Sequence, residues 1–340
     1  MDTLTGIASV SVIIVNYNAG DRLAKCLSSL AGQSAAPKEI FVVDNASSDN
    51  SMALAAPHLG DAHVMMMDDN LGFAAANNRA VDRATGDWVA FLNPDAYPDK
   101  DWIKAFVQGV QTYPEVDAFG STQLAADDPS RLDGLGDAYF FGGVAYRGGF
   151  HHPRPDDAED AETFAACAAA AFYRREAFLK LGGFDESFFC YVEDVDLGFR
   201  LRLAGGRTLQ LADAIVAHEG SGITGRHSDF SIYHGHRNRV VTHLRNMPAV
   251  LLVPTLPVHL VLNMYLAIRF SFRGGVRAYL RAMRDAIGMV YANRDRRREL
   301  QSTRKISILE LATALTWSPV KLATRSPDLR PVGSCKAAAE

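Results

Sequence analysis

The run Val10-Ser11-Val12-Ile13-Ile14-Val15 passes directly into Asn16-Tyr17-Asn18-Ala19-Gly20. Apolar, β-branched residues on both faces read as a strand covered on both sides, and the polar cluster behind it marks the strand's end. Residues 40–43, 64–67 and 88–92 repeat the pattern at helix-length intervals. Two of these runs also stop at polar clusters, Asp44-Asn45 and Asn93-Pro94-Asp95. The rhythm predicts an α/β fold with a mostly parallel sheet flanked by helices. Ligands of such sheets bind beyond the carboxyl ends of the strands, so the three clusters predict one pocket.

Working outward, residues 121–162 are rich in Asp, Gly and Pro and show little period, reading as loops or short strands. A helical pattern returns at residues 175–181, followed by Gly182-Gly183-Phe184-Asp185-Glu186 and a helix that opens at Glu193-Asp194 and stops before Gly205-Gly206. The chain of 340 residues, 48% hydrophobic and 22% charged, is an ordinary folded protein, which excludes disorder and a disulfide miniprotein. Cys26, Cys167, Cys190 and Cys335 form no C-x-x-C pair, so neither a zinc cluster nor a secreted disulfide frame is expected. No Lys or Arg precedes Arg22, which predicts no secretory leader and a cytoplasmic location.

Charge is divided unevenly: residues 1–268 hold 20 Lys+Arg against 33 Asp+Glu, and residues 269–305 hold 11 against 3. A basic segment on an acidic body points to a polyanionic partner, a membrane surface or a nucleic acid. Residues 249–268 contain 15 apolar residues in 20, but Pro254 and Pro257 are expected to break the run. An uninterrupted helix over 258–268 is about 16 Å long, too short for a hydrocarbon core of about 30 Å. Val276, Tyr279, Leu280, Met283, Ile287, Val290 and Tyr291 then fall on one helical stripe flanked by Arg277, Arg281 and Arg284. Such a helix lies in the headgroup plane of a membrane, or packs on protein.

Several residues are able to carry chemistry, each beside a plainer reading. Asp44 at a strand end suits a ribose hydroxyl or a base N–H, or shapes a turn. The first strand is followed by no G-x-G-x-x-G, and the chain has no G-x-x-x-x-G-K-S/T, so no glycine-rich turn cradles a diphosphate. Asp95 suits a divalent cation, or closes a β-turn with Pro94. Glu193, Asp194 and Asp196 cap a helix, or one of them serves as a general base beside Phe188, Phe189 and Tyr191. His218 completes a metal shell or is structural. His227, His234 and His236 form a histidine-rich stretch without a metal-ligand spacing.

Taken together, residues 11–18, 42–45, Asn70-Leu71-Gly72-Phe73-Ala74 with Asn77-Asn78, Leu92-Asn93-Pro94-Asp95 and residues 182–186 through 193–197 resemble glycosyltransferase family 2. The match covers roughly residues 8–245, and its wording is similar to the bacterial rhamnosyltransferase-like branch. The resemblance implies a GT-A fold (Rossmann-like, with a nucleotide-sugar half at about 8–120 and an acceptor half at about 121–245), with residues 246–340 as a helical, membrane-associating extension. It implies inverting transfer of a sugar such as rhamnose from a dTDP- or UDP-linked donor in cell-envelope glycan synthesis. By position, Asp44 reads the nucleotide, and Asp194, with Glu193 beside it, matches the catalytic base. Asn16, Tyr17, Asn45, Asn70, Gly72, Asn77 and Asn93 line the donor pocket. Asp95 matches the last residue of the family's D-x-D motif, where Asn93 replaces the first Asp. His218 and Arg237 approach the metal or the diphosphate. The implied cofactor is Mg2+ or Mn2+. The implied partners are a polyprenyl-diphosphate-linked glycan acceptor and the cytoplasmic face of the inner membrane, with no nucleic acid. Deletion of residues 249–340 is expected to release the protein from membranes. The rival readings are a sugar nucleotidyltransferase, which lacks its usual Gly-rich basic loop here, and a non-catalytic sugar-nucleotide-binding scaffold.

Overall fold

Strand β1 (Val10–Asn16) is buried along its whole length, and its neighbours are those that its apolar pattern demands. In the computed structural model, which describes residues 8–220 and 228–333, β1 pairs in parallel with β2 (Glu39–Asp44) and with β4 (Trp88–Leu92). On its far side β2 pairs in parallel with β3 (His63–Met66). The helices α1 (Arg22–Ala31), α2 (Ser51–Ala55) and α3 (Gly72–Val81) make the crossovers. Each expected strand lies within one residue of its expected bounds. His227 and Cys335 fall outside the described residues.

After β4 the chain forms β5 (Ala96–Pro98) and α4 (Trp102–Thr112), and the sheet becomes mixed. The aperiodic region resolves into β6 (Ala118–Ala125), β7 (Leu132–Gly134), β8 (Asp137–Phe140), β9 (Val144–Arg147) and β10 (Ala161–Glu162). Then follow β11 (Ala170–Arg174), α5 (Arg175–Lys180), α6 (Glu193–Leu203) and β12 (Thr208–His218). The ten-stranded sheet has the order β10-β12-β6-β11-β4-β1-β2-β3, with β5 on β12 and β7 on β6; β8 and β9 form a separate hairpin. One face packs on α1 and α4 through Trp88, Trp102, Phe106 and Phe119; the other packs on α3, α5 and α6 through Phe91, Phe178, Phe184 and Leu197.

The helix α7 (Asp229–Asn246) is polar in sequence yet buries Arg237, Asn238, Arg239, His243, Arg245 and Asn246. Its partners are acids and carbonyls: Arg245 is 1% exposed and donates to Asp185 and Asp196, and Asp196 also accepts from Arg200. Asp196, one of the three acids at the start of α6, is thereby a structural ion-pair centre.

The chain ends in α8 (Ala249–Arg273), α9 (Val276–Ala292), α10 (Arg294–Ser302), α11 (Ile308–Ala314) and α12 (Pro319–Thr324). The expected break at Pro254 and Pro257 does not occur, since α8 continues through both as one helix of 25 residues. Each proline removes one ladder bond, and the Thr255 hydroxyl donates to the carbonyls of Leu251 and Leu252 within that turn. At 1.5 Å per residue α8 is about 37 Å long, enough by length alone to cross a bilayer. Its most apolar 18-residue window has a mean hydropathy of 1.8 and is 11% buried.

The extension is not set apart at residue 246. Leu311, Ala314 and Leu315 share a core with Tyr139, Phe164 and Phe199, and Arg297 donates to the carbonyls of Leu244, Arg245 and Met247. The expected stripe of α9 is divided: Tyr279 is buried with Ala278, Ala282 and Ala286, whereas Leu280, Ile287 and Tyr291 stay exposed.

Candidate active site

Parallel pairing sets Asn16 opposite Asp44, so two of the polar strand ends meet. The Asn16 amide donates to Asp44 Oδ1 at 2.7 Å and to Ser51 Oγ at 2.9 Å, and Ser47 N–H donates to Asp44 Oδ2. Asn16 Oδ1 is buried without a hydrogen-bond partner, so this network keeps an unused acceptor. One step along, the Asn45 amide donates to Asn70 Oδ1 at 2.8 Å and to the Gly72 carbonyl at 3.3 Å. Leu71 N–H returns a bond to Asn45 Oδ1, and Gly72 N–H one to Asn70 Oδ1. Asn16, Asp44, Asn45, Asn70 and Gly72 thus form one continuous lining. Tyr17 is exposed beside it. Asn77 is not part of it, because its buried amide turns back to the Phe73 carbonyl of its own helix.

Asn93 begins the turn after β4, its carbonyl accepting from Ala96 N–H, and the turn delivers a buried Asp95. β12 runs antiparallel to β5 with His218 opposite Ala96, which brings the imidazole to Asp95. His218 Nε2 lies 3.3 Å from Asp95 Oδ1, and Nδ1 lies 2.7 Å from Asp133 Oδ2. Nε2 is buried, and its partner among the described residues is Asp95, so one nitrogen and one carboxylate oxygen stand side by side. That donor pair suits a divalent cation, with Asp133 fixing the ring through the other nitrogen.

Asp133 is also bonded by Arg147, whose second amino group lies 3.3 Å from Cys167 Sγ. Cys167 belongs to a cluster with Asp137 and Asp194, their ligand atoms all within 4.8 Å of one another. A chain of side chains therefore leads from Asp95 through His218, Asp133 and Arg147 to Asp194. Asp194 is partly buried and accepts from Ala168 N–H at 3.0 Å and Val195 N–H at 2.8 Å. Burial raises its pKa above the usual carboxylate range, against those N–H bonds and the Arg147 charge. Burial and the Asp194 charge push Asp137 well above that range, and burial does the same to Glu193, with Asp194 adding to it. Glu193 is buried with Oε2 unbonded, so of the two acids expected to be catalytic Asp194 is the more accessible.

The approach to α6 is strained. Phe189, Tyr191 and Val192 all have positive φ, between 66° and 70°. For a β-branched Val192 this is a true outlier, of the kind that persists only where neighbours over-determine it. The fully buried Asn238 does so, its amide lying within 3.0 Å of the carbonyls of Phe188, Cys190 and Tyr191. Arg237 has the same duty, donating to the carbonyls of Ser187 and Phe188. Two of its nitrogens, Nε and Nη2, are thus committed to Asn238 and to the loop before Asp194. The Asn45–Asn70 network touches this loop at Gly72, where an added Cβ would sit 2.5 Å from the Phe189 carbonyl oxygen.

Asp133, Asp137, Arg147 and Cys167 were missed in the sequence. The signal there was Asp133-Gly134-Leu135-Gly136-Asp137, two acids in a glycine-rich stretch, but nothing local ties it to Asp194 or His218.

The chain is 28% identical over 238 residues to the N-acetylglucosaminyl-diphospho-decaprenol L-rhamnosyltransferase of Mycobacterium tuberculosis, covering 63% of this chain and 77% of that one. It is 29% identical over 225 residues to the O-antigen biosynthesis protein RfbC of Myxococcus xanthus, covering 64% of this chain and 18% of the relative. Among solved structures, S. aureus TarS 1-349 in complex with UDP-GlcNAc shares the fold at a TM-score of 0.56 and 20% identity, over 83% of this chain and 81% of that one. The mannosyltransferase PcManGT of Pyrobaculum calidifontis, in complex with GDP-Man and Mn2+, does so at 0.52 and 18% identity, over 88% and 85%. The family model for glycosyl transferase family 2 matches residues 11–182, half of the chain, and the protein belongs to that family and is a glycosyltransferase acting on a nucleotide sugar.

Proposed function

We propose that the protein is an inverting transferase that moves a sugar, rhamnose or one similar, from a dTDP- or UDP-linked donor to a polyprenyl-diphosphate-linked glycan at the cytoplasmic face of the membrane. The observation that carries the reading is the union of two sites: a buried Asn16–Asp44 network with an unused acceptor, and the Asp95–His218 pair joined through Asp133 and Arg147 to Asp194. The first suits a nucleoside and the second a diphosphate with its counter-ion. The M. tuberculosis relative, named for transfer of rhamnose to a diphospho-decaprenol-linked sugar, supports this donor and acceptor class.

Asp194 removes the proton from the acceptor hydroxyl, and the oxygen attacks the anomeric carbon on the face opposite the leaving group. The bond to the diphosphate oxygen breaks as the new glycosidic bond forms, so configuration inverts. A carboxylate with a raised pKa is a better proton acceptor than an ordinary one, which suits this role. Asp95 and His218 would hold a Mg2+ or Mn2+, which would supply neutralising charge at the diphosphate.

Membrane attachment is part of the reading. On α8, Val250, Val253, Leu260, Val261, Met264 and Ile268 recur every few residues, and each is more than half exposed. The opposite side of α8 is tied to the domain, with His259 Nδ1 2.9 Å from the Gly142 carbonyl and Asn263 bonded by Arg239. Crossing a bilayer would break those bonds, so the helix lies on the surface, with Arg277, Arg281 and Arg284 at the headgroups.

The test is nucleoside diphosphate release from a panel of dTDP- and UDP-sugars, with a synthetic polyprenyl-diphosphate sugar and Mg2+ or Mn2+. Release that requires the acceptor, and falls about 10³-fold in Asp194→Asn, is expected. Wild-type activity in that variant overturns the assignment of the base, and donor binding without turnover favours a scaffold.

A further inference from the structure

A second, separate site is formed where the last helices meet the start of α8. A groove of about 470 Å³ is lined by Arg294, Arg297, Arg298 and Arg304, with Gln301 and the first residues of α8. No carboxylate among the described residues lines it. Two of its side chains have other work: Arg297 is bonded to the last carbonyls of α7, and Gln301 donates to the Asn246 carbonyl at 2.8 Å. Of the other three, Arg298 has an acid partner, and Arg294 and Arg304 have none among the described residues. Arg294 rests over the Tyr291 ring, Arg298 is three-quarters exposed and paired with Asp295, and Arg304 Nη1 is buried without a hydrogen-bond partner. No side chain caps the N-terminus of α8, which opens on the same groove with the positive end of a 25-residue helix. Guanidinium groups and uncapped helix N–H groups are together the chemistry that holds a phosphate.

The same groove has an apolar wall. Val250 lines it and is 68% exposed, as is Val253 one turn on, and they begin the exposed stripe of α8. A ligand that matches both parts carries a phosphate at one end and a hydrocarbon chain at the other.

We infer that this groove binds the phosphate of an anionic phospholipid headgroup, with the acyl chains against the exposed stripe of α8. The inference rests on the membrane attachment argued above and adds to it a specific headgroup site, distinct from the active site. It makes attachment depend on lipid charge, and it fixes the register of α8 on the bilayer from its N-terminal end.

The full chain would be tested by flotation with vesicles of phosphatidylcholine alone and with about one-third phosphatidylglycerol. The variants are Arg294→Gln/Arg298→Gln/Arg304→Gln and, as an equal change of charge on exposed side chains away from the last helices, Arg83→Gln/Lys100→Gln/Lys180→Gln. Calorimetric binding of UDP or dTDP reports that each variant is folded. The wild type is expected to prefer the anionic vesicles, and the groove variant to lose about 100-fold in affinity for them, at about 5-fold per arginine near an anionic surface. The outer variant is expected to lose less. Equal losses in the two variants, or none in the groove variant, overturn the site and leave membrane attachment standing. Failure of the wild type to bind either vesicle overturns both. Inorganic phosphate alone, bound by the wild type and not by the groove variant in that case, identifies a free-phosphate site instead. Tight, salt-steep binding to nucleic acid in preference to vesicles also overturns the inference.

Discussion

Replacing Gly72 by alanine tests whether the Asn45–Asn70–Gly72 network sets the position of Asp194, the proposed base. Gly72 has φ of +81°, and a Cβ there would lie 2.5 Å from the Phe189 carbonyl oxygen and 2.6 Å from Phe189 Cδ2. Ordinary contact begins at 3.4 Å, so Phe189 must retreat by 3.4 − 2.5 = 0.9 Å, or Gly72 must move. The left-handed conformation costs an alanine about 1–2 kcal/mol. The 3.1 Å bond from Ala74 N–H to the Phe189 carbonyl goes with the displacement, at about 1 kcal/mol more. A loss of roughly 2–3 kcal/mol is expected in urea unfolding, slightly offset by the lower entropy of the unfolded alanine chain. Phe189 opens the strained segment that ends at Val192, immediately before Glu193 and Asp194. Misplacement of a reacting group by about 1 Å costs about 100-fold in rate. The transferase assay should therefore show kcat down by about that factor. Donor affinity should change little, because Gly72 joins the lining through its backbone. Unchanged stability and kcat would refute the argument. Lost donor affinity at unchanged stability would show instead that the position faces the nucleotide.

Other outcomes follow from the same contacts. Arg245→Met strands the buried carboxylates of Asp185 and Asp196, and a loss of about 3–5 kcal/mol in urea unfolding is expected. Arg245 holds both acids below the usual carboxylate range, so the stability they contribute is present above that range and is lost as pH falls through their folded pKa values; a pH series of urea midpoints should show a shallower acid loss in the variant. Arg147→Met removes the cation that lowers the Asp194 pKa within the cluster of Asp133, Asp137, Cys167 and Glu193. The acid limb of its kcat/KM profile should move to higher pH, and an unmoved limb would mean that Asp194 is not the group observed. Asp133→Asn, which disturbs the partner of His218 Nδ1, should weaken Mn2+ binding followed by electron paramagnetic resonance by about 10- to 100-fold.

What the sequence disclosed follows the range of the forces involved. The strands near 10–16, 39–44 and 88–92 were legible because burial on both faces leaves an unbroken apolar run. The positions of Asp44, Asp95 and Asp194 at strand ends and at a helix start were legible because those are local events. Helix α7 was not, since it buries Arg237, Asn238, Arg239 and Arg245 against carbonyls and acids and so reverses the usual pattern. The length of α8 was not legible, because the local cost of a proline is outweighed by the helix around it. Asp133, Asp137 and Arg147 reach the site through β7, β8 and β9, short strands held by pairings that no local period announces.

The last helices, which look like a detachable basic extension in the sequence, brace the loop before Asp194 through α7. Asn238 and Arg237 of α7 hold the carbonyls of residues 187–191. In turn α7 is held by α9, where Tyr233 donates to Asp285, and by α10, whose Arg297 bonds its last carbonyls and whose Arg296 joins Asp185. Deletion of residues 249–340 would also strip Leu311, Ala314 and Leu315 from the core around Tyr139 and Phe164. That truncation is expected to yield an unfolded or aggregated chain rather than a soluble enzyme released from the membrane. Circular dichroism and donor binding of the truncated chain decide between the two. A folded, donor-binding product would mean that α7 stands without its braces, and that membrane contact and the geometry of the base are independent. Loss of folding would make them parts of one unit, in which the helices that meet the lipid also hold α7 in place, and α7 holds the loop before Asp194.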